Sequence, residues 1–165
     1  MANPFEVLGV PARFDLEGAE LHRRFIALSA ANHPDRFLDP LAQADAAQRA
    51  AQINQAYQIL ADPQSRAEAL LAVLDGPGQG ADKSLPPDLL ATMMRVREEL
   101  EQAIASNDGP TLARLRAWAQ GERAKSLARL AVLFAQAGDP QQGALVRKEI
   151  HLALNALRYF QRTLE

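Results

Sequence analysis

The chain has 165 residues, 48% hydrophobic and 23% charged, enough for one domain or two small ones and too few for a large multidomain enzyme. It has no cysteine, which excludes disulfides, thiolate ligation of a metal or cluster and cysteine nucleophiles. Three histidines (His22, His33, His151) are too few for a His-rich metal site, so no metal or other cofactor is expected.

No apolar run approaches the roughly 18 residues of a membrane span, and the first residues lack the basic-then-apolar pattern of a secretory signal. Cytoplasmic residence is the expectation. The net charge of −2 gives no general attraction to nucleic acid or to an anionic membrane. Residues 1–76 hold six Lys/Arg against ten Asp/Glu and the remainder twelve against ten, an imbalance too small to name a partner.

Sparse aromatic residues (5%) and abundant Ala, Leu, Gln, Arg and Glu predict helix throughout and an all-α fold. Five proline-containing segments read as helix beginnings, because proline is tolerated in the first turn after a capping residue or loop: Asp39-Pro40, Asp62-Pro63, Leu85-Pro86-Pro87, Gly109-Pro110 and Asp139-Pro140. In chain order the pattern predicts helices over about 4–9, 16–31, 40–61, 64–75, 87–106, 110–137 and 140–164. The second and third carry helical apolar spacing at Leu21, Phe25 and Leu28 and at Ala46, Ala50, Ile53, Tyr57 and Leu60. The Gly/Pro-rich stretch after Asp75 has linker composition, dividing the chain into residues 1–75, a linker over 76–85, and a three-helix bundle over 86–165.

Between the second and third helices lies Ala31-Asn32-His33-Pro34-Asp35-Arg36-Phe37. Pro34 steers His33 away from helical geometry, so the helix ends there and presents His33 and Asp35 on an exposed loop. Alone, this is also what an ordinary helix-ending turn looks like. As an acid–base pair the two side chains lack a companion nucleophile, and two residues flanking a rigid proline need not meet, so no catalytic residue and no enzyme is expected.

The surrounding sequence is more specific. Asn3-Pro4-Phe5-Glu6-Val7-Leu8-Gly9 precedes the helical hairpin, and Asn54-Gln55-Ala56-Tyr57-Gln58-Ile59-Leu60 with Asp62-Pro63 follows it. This order resembles a J-domain over about residues 3–65. The resemblance implies a helical hairpin whose His33-Pro34-Asp35 tip docks on an Hsp70-type chaperone and stimulates its ATPase. Arg23, Arg24, Arg36 and His22 stand for the basic face that such domains present. The last two turns of the second helix, residues 26–31, carry no Lys or Arg, a departure from that pattern.

Beyond it, Arg66-Ala67-Glu68-Ala69-Leu70-Leu71, Met94-Arg95-Val96-Arg97-Glu98-Glu99-Leu100 and Leu157-Arg158-Tyr159-Phe160 are similar to segments of the HscB or Jac-type co-chaperones of iron-sulfur assembly. By periodicity Leu89, Met93, Val96, Leu100 and Ile104 form one seam, with Leu90 and Met94 about 100° away. The pattern alone fits Leu90 and Met94 equally as further core or as a separate stripe. The family resemblance implies the stripe: Leu90, Met94, Glu98 and Tyr159 hold the scaffold protein IscU while the dedicated chaperone HscA is engaged by the loop. Ala91 and Arg95 depart from the family's bulky and acidic residues. A family module of zinc-binding cysteines, carried by some eukaryotic relatives, has no counterpart ahead of Asn3, which points to a bacterial-type member. Alternatives are a J-protein serving a general chaperone such as DnaK with another client, and a helical adaptor in which His33-Pro34-Asp35 is incidental. Trp118 reads as core, His151 carries no assigned role, and the Arg114, Arg116, Arg123, Lys125 and Arg129 set reads as a solvated face.

Overall fold

A computed structural model describes residues 2–75, 85, 87–137 and 143–164. Helices account for all the regular structure among these residues: α1 (Pro4–Leu8), α2 (Gly18–Ala31), α3 (Pro40–Ala61), α4 (Pro63–Asp75), α5 (Pro87–Ala105), α6 (Gly109–Gln136) and α7 (Gly143–Leu164). The fold is all-α. It separates into two compact units, Met1–Pro77 and Gly78–Glu165. The expected linker lies outside the described residues except for Leu85, as does the expected start of the last helix at Pro140.

Capping residues set the starts. Asn3, Asp39, Asp62 and Asp108 each accept a backbone N–H of the following first turn, from Phe5 (3.1 Å), Ala42 (2.9 Å), Ser65 (2.8 Å) and Thr111 (3.1 Å). A proline follows each cap within two residues, where its missing N–H costs nothing. α2 begins at Gly18, two residues later than its apolar pattern suggests, because Leu16 N–H is taken by the Phe14 carbonyl in a tight turn and Glu17 is extended. α1 stops at Gly9, whose φ of +62° is the left-handed conformation that favours glycine.

In the first unit, Tyr57, late in α3, lies against His22 near the start of α2 and Phe25 at its middle, while the hairpin tip joins the end of α2 to the start of α3, so the two helices run antiparallel. The Phe25 and Tyr57 rings stack at 4.3 Å between centroids. Ala46, Ile53, Ala56 and Leu60 form the buried stripe of α3, and Phe5, Leu8, Leu21, Leu70 and Leu71 complete the core. Each large apolar side chain buried here contributes about 1.5–3 kcal/mol. The loop at the hairpin tip is thereby held on two packed helices.

In the second unit α6 packs chiefly along α7, and α5 lies against both. Val146, Ile150, Ala153, Leu154, Leu157 and Phe160 make a continuous buried face on α7 at helical spacing. Met93 of α5 joins Ala156 and Phe160 in a cluster that Leu89 and Trp118 cover. Trp118 is only partly buried and meets Phe160 edge to face at 5.7 Å. Ile104 departs from its expected place in the α5 seam. It is 61% exposed, and Ala103 is buried instead. The 100° helical step explains this: from Leu89 to Ile104 the azimuth drifts out of the core-facing arc, while Ala103 falls within it.

Candidate functional site

At the hairpin tip α2 ends at Ala31, and Asn32 closes it by donating its side-chain amide to the Leu28 carbonyl at 2.8 Å. Residues Pro34–Arg36 then form a single 3-10 turn that His33 caps, a feature the sequence pattern did not reveal. Arg36 N–H donates to His33 O (3.1 Å), Phe37 N–H donates to Pro34 O (3.0 Å), and Asp35 N–H approaches His33 Nδ1 at 3.4 Å. The turn brings His33 Nδ1 to 3.6 Å from Asp35 Oδ2. The sequence left open whether these side chains meet, and the tight turn folds them toward each other.

Both side chains nonetheless face solvent, at 59% and 88% exposure. Two further bonds pin the loop: Arg36 Nη1 donates to the Ala30 carbonyl (3.2 Å) and Gln43 Nε2 to the Phe37 carbonyl (2.7 Å). The result is a presented, preorganised polar tip, suited to insertion into a partner.

The basic candidates are placed differently. Arg36 sits in the turn, whereas Arg23 and Arg24 lie about 10–15 Å back along α2. Both of the latter pair with Glu20, Arg24 Nε at 3.2 Å. His22 Nδ1 is 3.2 Å from the Tyr57 hydroxyl.

The second site is in the other unit. Leu90 is 50% and Met94 68% exposed, so they are not additional core. Tyr159 is partly exposed beside fully buried Phe160. Leu90, Met94 and Tyr159 line one open groove of about 430 Å³ between α5 and α7. Arg97, Glu101 and Arg162, which sequence reasoning did not single out, line it too, as does Ile104, which the periodicity assigned to the α5 seam. Arg97 Nε bonds Glu101 Oε1 at 2.9 Å, one turn further along α5. Glu98 is exposed outside this lining. Each four-residue step from Leu90 through Met94 to Glu98 turns the azimuth by about 40°, carrying Glu98 to the flank, while seven- and eleven-residue steps return Arg97 and Glu101 to the groove. Counting by sevens along α5 would have found them.

Elsewhere, Arg114, Lys125 and Arg129 pair with Glu99, Glu122 and Glu149, giving an exposed face of mixed charge. Among the described residues no three His, Asp or Glu gather as a metal set, and no helix is long and apolar enough to cross a membrane.

Comparison with known proteins gives concordant matches for the two units. Residues 3–69 match the DnaJ domain and residues 85–165 the HSCB C-terminal oligomerisation domain. Co-chaperone protein HscB homologs from Pasteurella multocida and Vibrio cholerae are 38% identical over 114 residues and 43% over 111. These matches cover 67% and 64% of this chain and span 66% and 64% of those relatives, just under two thirds of their length. The solved chaperone HscB from Vibrio cholerae is similar with a TM-score of 0.70 and 32% identity, covering 97% of this chain and 96% of that one. Human co-chaperone protein HscB shares the fold, with a TM-score of 0.82 over 98% of this chain and 78% of that one at 18% identity.

Proposed function

Because the chain belongs to the HscB co-chaperone family, we propose that it binds the iron-sulfur scaffold protein IscU and delivers it to the Hsp70-type chaperone HscA, whose ATPase it stimulates. In this reading the chain is an adaptor and not an enzyme. It works in the cytoplasm and binds no cofactor, and ATP hydrolysis belongs to the chaperone and the nascent cluster to the scaffold. Residues 1–75 act as the J-domain and residues 86–165 as the scaffold-binding bundle.

The observation that carries the reading is the separation of two exposed sites on two compact units. His33, Pro34 and Asp35, with Arg36, form the pinned polar tip that would meet the chaperone, with Arg23 and Arg24 behind it on α2. Leu90, Met94 and Tyr159 line the apolar groove that would take the scaffold, and Glu98 offers an acid at its flank. Exposed apolar side chains in a groove rimmed by charge are the usual composition of a binding centre.

Two titrations with purified partners test it. IscU is expected to bind the wild type and to bind a Leu90→Asp variant much more weakly, while that variant still stimulates HscA in the absence of scaffold. Equal IscU binding by both proteins would contradict the groove assignment.

A further inference from the structure

We propose that Leu38 and Leu41 form an apolar docking contact for the Hsp70-type chaperone beside the His33-Pro34-Asp35 turn, so that this chain docks mainly by apolar burial and not by charge. The inference rests on the functional reading above and extends it to residues that no motif of the chain marks.

Leu38 is 98% exposed and Leu41 78%, the two most exposed large hydrophobic side chains among the described residues. They follow the turn directly, Leu38 just before the Asp39 cap and Leu41 in the first turn of α3. Their backbone is not loose. Gln43 holds the Phe37 carbonyl and Asp39 caps Ala42 N–H at 2.9 Å, so the leucines are presented from a pinned segment continuous with the polar tip. An apolar pair held outward in this way loses little freedom when a partner covers it.

The charges around it give an independent reason. Glu20 engages both Arg23 and Arg24, and α2 has no basic residue in its last turn. Arg36 donates to the Ala30 carbonyl. Around the turn Arg36 is outnumbered by Asp35, Asp39 and Asp45. Such a tip has little charge with which to draw a partner, and the free energy of docking must come from burial. The occupant is therefore an apolar patch on the chaperone next to the site that receives His33.

The test is the steady-state ATPase of purified HscA titrated with the full chain, at about 0.05 M and about 0.5 M salt, where charge pairing is weakly and strongly screened. Wild type, Leu38→Ser/Leu41→Ser, Leu38→Met/Leu41→Met and His33→Gln are compared. The serine pair is expected to raise the half-maximal concentration by about tenfold or more while keeping the maximum. The methionine pair should match the wild type, whose half-maximal concentration should change by less than about threefold with salt.

Unchanged half-saturation in the serine pair, with wild type active and His33→Gln silent, would overturn this inference alone. So would a lowered maximum at unchanged half-saturation, or a dimer of the chain that the serine pair dissolves. A folded wild type that does not stimulate would overturn the functional reading and this inference with it.

Discussion

The guanidinium of Arg66 donates to the Phe14 carbonyl at 2.9 Å, tying α4 to the segment that leads into α2 across fifty-two residues. Its Nε donates to the Leu60 carbonyl at 2.7 Å, and its charge lies 6.0 Å from the Phe14 ring centroid. Burial lowers the Arg66 pKa from its ordinary value and Asp62 partly restores it. Arg66→Ala removes the buried guanidinium that serves both carbonyls, leaving Phe14 O with the Leu16 N–H and breaking the tie between α4 and the segment before α2, and should cost about 2–4 kcal/mol of stability in the N-terminal unit, read by urea denaturation. Arg66→Lys, which cannot serve both carbonyls at once, should fall between.

Tyr159 and Phe160 are neighbours with opposite duties. Phe160 is 3% exposed and packs on Trp118 and Met93, so Phe160→Ala should cost about 3–5 kcal/mol in a thermal or urea melt. Tyr159 lines the groove, and Tyr159→Ala should shift the melt by less than about 1 kcal/mol while weakening IscU binding.

Much of this was legible from residue pattern. Cap-plus-proline pairs mark helix starts through local hydrogen bonding alone, and α3 spans the expected 40–61. What stayed hidden depends on contacts between distant residues. Arg66 stood out only as part of a family segment, because its partners lie at Phe14 and Leu60. Ile104 was assigned to the core because a five-residue seam cannot show where a helix rolls off its neighbour. The 3-10 turn at Pro34 was missed because its short bonds leave no periodic trace, and it is what brings His33 to Asp35.

Leu90 and Met94 are exposed, so truncating them removes little core, and under the proposed function it removes contact with the scaffold. Leu90→Ala and Met94→Ala should each weaken IscU binding by about 1–2 kcal/mol in calorimetric titration, with an unchanged melt. A Leu90→Ala/Met94→Ala protein of normal affinity would remove these residues from the interface.

Asp108 caps α6, and hydrogen bonds from Thr111, side chain first and then backbone N–H, hold its carboxyl below the ordinary 3.8. A depressed carboxylate stabilises the fold above its unfolded pKa and loses that contribution as pH falls through the folded value. Stability of the C-terminal unit should therefore decline below about pH 4. Asp108→Asn, which still caps but carries no charge, should flatten that part of the decline when acid unfolding is followed by circular dichroism.

The central claim is that the His33-Pro34-Asp35 turn triggers a chaperone. It is tested most directly by the steady-state ATPase of HscA with IscU present, comparing the wild type with a His33→Gln variant of unchanged helicity. The account predicts clear stimulation by the wild type and none by the variant. Equal stimulation by both, or none by a folded wild type, would contradict it.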